Sequence, residues 1–98
     1  MSAADDPVLR EFREQISTTD RAILDAVNTR LELVALIKVH KESRGVAFLD
    51  PDRERSMLDD LTRVNRGPLS TDGLRELFET ILDLTKREVA EPFSESHR

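Results

Sequence analysis

The chain has 98 residues, enough for one domain with one modest core. Charged residues make up 36% and aromatics only 4%, a balance that suits long amphipathic helices with wet outer faces and disfavours a sandwich or barrel. The net charge of −5 argues against a nucleic-acid partner, and the absence of cysteine removes disulfides, thiol nucleophiles and thiolate metal sites. The opening "MSAADDP" is acidic and has no apolar centre, so it does not read as a signal peptide. A first helix is expected from Asp6-Pro7, an N-cap residue followed by proline, to "KESRG", where Gly45 suits the left-handed position after a helix end. Its apolar residues Leu9, Phe12, Ile16, Ile23, Val27, Val34 and Ile37 recur at helical spacing. A second helix is expected from Asp50 to about Asn65, with Met57, Leu58, Leu61 and Val64 on one face and "RGP" as its stop. A third starts near Ser70 or Asp72, carries Leu74, Leu77, Phe78, Ile81 and Leu82, and stops at Pro92. No segment alternates as a strand does. The expectation is one all-α domain over residues 1–98, ordered from about 7 to 91.

No apolar run approaches the ~18 residues of a membrane span, and His40 and His97 make no spaced ligand set. A cytoplasmic protein without metal, membrane or nucleic-acid partner is expected. The first helix also carries a quaternary argument. About 37 residues at ~1.5 Å each span roughly 55 Å. A 100-residue globule has a radius of gyration of only ~13 Å. Such a helix leaves apolar positions wet unless a second copy covers them, and a two-fold dimer is the commonest arrangement. The rival is a kinked helix folding back on itself. Against it, no glycine or proline interrupts Val8 to Arg44.

Cations occupy unexpected places. Steps of seven along Leu9, Ile16 and Ile23 reach Arg30 before Ile37, so an arginine stands in the apolar seam. Lys41, eleven residues on, falls within ~20° of the same face, with its Cα roughly 16 Å away. Arg13 lies ~25 Å from Arg30 and about 100° around the helix, so it can join a small site with Arg30 only from a dimer partner. Arg53 opposes the helix dipole in the first turn of the second helix, beside Glu54. Singly, each has an ordinary reading. Arg30 can pair with Asp20 or Asp25, Lys41 can favour a solvated helix end, and Arg53 can be a surface residue. Together they suggest a pocket for a small dianion.

These residues resemble the all-helical chorismate mutases, the AroQ class. The stretch "FREQISTTDRAILDAVNTRLELVALIKVHK" followed by "DPDRERSML" is similar to that family, as are "NRGPL" and the Leu77-Phe78 pair, over roughly residues 9 to 85. The resemblance implies an intertwined homodimer of three-helix chains. It implies the Claisen rearrangement of chorismate to prephenate, in phenylalanine and tyrosine biosynthesis, with no cofactor and no metal. Carried over, Arg30 and the partner's Arg13 would bind the two carboxylates. Lys41 would donate to the breaking ether oxygen, and Arg53 would add positive potential. Glu54 would accept from the ring hydroxyl, near the Asp50 backbone, and Thr85 would meet a ring carboxylate. One turn later the family usually has Gln or Glu, a second donor to the ether oxygen, where this chain has Val89. Valine cannot donate, so weak activity, a related substrate (isochorismate or 4-amino-4-deoxychorismate) or a non-catalytic binding module remain open. "FLDPDRER" and "NRGPL" also resemble mutase domains fused to DAHP synthases, which raises a separate synthase chain as a partner.

Overall fold

The computed structural model describes residues 6–90; Pro92, expected to stop the third helix, lies outside them. Among these residues the architecture is all-α, with three helices in chain order: α1 (Pro7–Ser43), α2 (Pro51–Val64) and α3 (Thr71–Ala90). The chain divides between Leu33 and Val34 into two compact units.

The first unit is the N-terminal part of α1. Asp6 caps it as the Asp-Pro pair predicts, its Oδ1 accepting from the amides of Val8 at 2.9 Å and Leu9 at 3.2 Å. Downstream, Gln15 Nε2 donates to Glu11 Oε1 at 3.2 Å, a bond one turn apart that steadies a wet helix surface. The apolar residues Leu9, Phe12, Ile16 and Ile23 are exposed in the single chain, Ile16 at 58%. They are left wet, as the length of the helix predicts.

The second unit holds the end of α1, the loop after it, α2 and α3. Gly45, at φ 65°, ends α1 by a paired closure: Val46 N–H donates to Lys41 O at 2.9 Å and Gly45 N–H to Glu42 O at 3.3 Å. α2 begins with Asp50 as N-cap and Pro51 in its first turn, and ends at Asn65. Asn65 then builds the following turn, accepting from Gly67 N–H at 3.0 Å and donating to Leu69 O at 2.8 Å. For α3 the sequence left two candidate starts. Ser70 is the one that caps, its Oγ accepting from Gly73 N–H at 3.0 Å. α2 and α3 pack on each other, with Leu58 and Leu82 both lining a groove between them. Among the described residues the buried ones are Leu74, Thr85 and Val89, all on α3. Lys38, near the end of α1, ties that helix to α3 by donating to Val89 O at 3.0 Å and Ala90 O at 2.8 Å. Among the described residues no helix is long and apolar enough to cross a membrane.

Candidate active site

Of the sequence-derived site residues, Lys41, Asp50, Arg53, Glu54, Thr85 and Val89 lie in the second unit, and Arg13 and Arg30 in the first. Lys41 is half-buried at the end of α1. Its carbonyl belongs to the glycine closure, and its ammonium donates to Phe48 O at 3.2 Å. An ammonium carries three N–H donors, so this contact leaves capacity for an anionic group. The loop between α1 and α2 thus folds around both ends of one residue.

The "DPDRER" stretch sorts into separate tasks. Asp50 spends its carboxylate on the cap, Oδ1 accepting from the Arg53 amide at 3.0 Å. Asp52 pairs with Arg55 at 2.6 Å across an exposed turn, a contact of small energetic weight. The Arg53 side chain is exposed on α2, near Asp52, Ser56 and Asp60. Glu54 is half-buried and reaches α3, its Oε1 accepting from Lys86 Nζ at 3.1 Å. Nothing local in the sequence marks Lys86 as its partner, 32 residues downstream.

Thr85 and Val89 are brought together, one turn apart and both buried, at 5% and 3% exposure. Thr85 Oγ1 donates to Ile81 O at 2.7 Å, so its hydroxyl must rotate before it can donate to a ligand. Val89 presents an apolar side chain there, without a donor. Lys38, which holds the Val89 carbonyl, was not singled out by sequence. A lysine one turn before Lys41 reads as an ordinary helix-end cation until its distant acceptors are seen.

In the first unit, Arg13 stands exposed on a face of α1 with Arg10, Ser17 and Arg21. Arg30 is half-buried and engaged rather than free. Within the second unit, Lys41 is a half-buried cation and Glu54 a half-buried acceptor. No metal-ligand cluster is found among the described residues.

Comparison with known proteins identifies the family. The family model for chorismate mutase type II matches residues 12–89. The form II structure of chorismate mutase from Thermus thermophilus superposes with a TM-score of 0.82 at 28% identity, covering 88% of this chain and 98% of that one. The form I structure from the same organism gives 0.77 at 31% identity, covering 79% and 96%. The T-protein of Enterobacter agglomerans is 44% identical over 50 residues, which are 51% of this chain and 13% of that protein. This chain therefore corresponds to a small part of that relative's length. On the strength of a match running through all three helices, the chain belongs to the chorismate mutase type II family.

Proposed function

We propose that the chain is a chorismate mutase, converting chorismate to prephenate as a single-domain cytoplasmic homodimer on the route to phenylalanine and tyrosine. The observation that carries this reading is the family match over residues 12–89, a span that contains Arg13, Arg30, Lys41, Arg53 and Glu54. The reaction is an intramolecular Claisen rearrangement. The ether C–O bond breaks, a C–C bond forms within the same molecule, and no proton or electron leaves it. Catalysis therefore consists of holding the folded substrate and stabilising charge on the ether oxygen. Arg30 and the partner's Arg13 hold the carboxylates. Lys41 donates to the ether oxygen, where negative charge grows toward the transition state, so its contribution is differential. Arg53 adds positive potential, Glu54 accepts from the ring hydroxyl beside the Asp50 backbone, and Thr85 meets a ring carboxylate.

The exposed apolar face of α1 supports the dimer, since Phe12, Ile16 and Ile23 would otherwise stay in water. A separate DAHP synthase chain as a further partner rests on sequence resemblance alone. A second reading, a dicarboxylate-binding module without turnover, is favoured by buried Val89 in the place of a donor. The test is direct. Purified protein is incubated with chorismate and prephenate formation is followed. Turnover above the uncatalysed background supports the enzyme. Tight binding without turnover, with and without added synthase, favours the binding module.

A further inference from the structure

The Glu54–Lys86 pair joins α2 to α3 with Nζ and Oε1 3.1 Å apart, and both side chains are partly exposed, Lys86 at 41% and Glu54 at 27%. Glu54 borders a groove that also carries Glu79 and Asp83 from α3 and Arg55 from α2. Lys86 follows Asp83 by three residues and Glu79 by seven, so it stands on the same line of α3. Arg55 is already paired with Asp52, so Lys86 supplies the positive charge held directly against Glu54.

A carboxylate on its own attracts an alkylammonium more strongly than it attracts a hydroxyl, because the first contact carries full charge on both sides. A carboxylate already held by a lysine ammonium behaves differently. An incoming ammonium must stand within a few ångströms of a like charge, whereas an incoming hydroxyl meets no such repulsion. An aliphatic amine on the substrate ring would be protonated at neutral pH, as lysine is. We infer that Lys86 is a specificity-determining residue, which by neutralising Glu54 makes the site select a ring hydroxyl over a ring ammonium. The inference rests on the proposed function, in which Glu54 faces the ring substituent. It names the hydroxyl compound chorismate, rather than 4-amino-4-deoxychorismate, as the class of substrate served.

The test compares kcat/KM for chorismate and for 4-amino-4-deoxychorismate in the wild type, Lys86→Met and Lys86→Arg. Because the readout is a ratio within each variant, a general loss of folded protein cancels. Lys86→Met should move the ratio toward the amino compound by about threefold to fivefold, the scale of a partly exposed charge contact. Lys86→Arg should hold the wild-type ratio. An unchanged ratio in Lys86→Met, or an equal shift in both variants, overturns the inference while leaving the proposed function intact. If the wild type turns over neither compound, the proposed function fails instead. The same ratio is then read from dissociation constants by calorimetry, and failure of the wild type to bind either compound overturns both.

Discussion

Lys41 donates its ammonium to the Phe48 carbonyl at 3.2 Å, while its own carbonyl accepts the Val46 amide at 2.9 Å. One residue thereby holds the loop between α1 and α2 at two points, one through its side chain and one through its backbone. The two functions separate on substitution, because only the first depends on the side chain.

Lys41→Met should therefore cost little stability and much activity. Loss of one carbonyl contact is worth about 1 kcal/mol. Loss of a donor to a developing oxyanion lowers kcat by about 10²–10³. Urea unfolding and prephenate formation, measured on the same preparation, separate the two. A fall in stability with turnover unchanged would mean that Lys41 only braces the loop.

Val89→Gln tests the register of α3. A glutamine at this position introduces a donor one turn from Thr85, and turnover should rise by about tenfold or more. The position is buried, so adding a larger polar group should also destabilise the chain by about 1–3 kcal/mol. Lower stability with unchanged turnover would show that residue 89 does not face the ether oxygen.

Two glycines should respond to alanine for different reasons. Gly45 adopts φ 65°, but a Cβ there meets nothing within 4 Å, so Gly45→Ala carries a backbone cost of about 1 kcal/mol. Gly73 lies inside α3, where alanine is otherwise favoured. Its Cβ would come within 2.9 Å of Leu69 Cδ1 and 3.1 Å of the capping Ser70 Oγ. Gly73→Ala should therefore fail to yield the stabilisation of about 1 kcal/mol expected at an open helical site. Thermal unfolding of both variants beside the wild type checks this.

Arg13 and Arg30 offer a test of the shared site. Each single alanine variant should lose nearly all turnover. Mixed, unfolded and refolded together, they should recover about a quarter of wild-type activity, because half of the dimers are mixed and each of these has one intact site. No recovery on mixing, with light scattering showing dimers, would place both arginines in the same chain's site or in neither.

Helix boundaries were legible because their causes are local. Asp6-Pro7, Asp50-Pro51 and Gly45 act within one turn of themselves, and the side-chain caps and the left-handed glycine stand where short-range chemistry puts them. The start of α3 was legible only to within two residues, since Ser70 and Asp72 are both good caps and a hydrogen bond had to choose between them. The roles of Lys38 and Lys86 were not legible. Their acceptors lie 51 and 32 residues away, and a charged head on a flexible stem leaves no periodic trace. For Arg53 the fold answers the local puzzle only at the backbone: its amide donates to the Asp50 cap, while its side chain is exposed.

The wet stripe of α1 also bears on how the protein is made. Synthesis runs from the N-terminus at ~5–20 residues per second, so α1 is made before α2 and α3. Phe12, Ile16 and Ile23, still exposed when the single chain is folded, are made before the apolar residues of α2 and α3. That stripe is therefore an aggregation-prone surface of the single chain, and that segment is where a holding chaperone would bind.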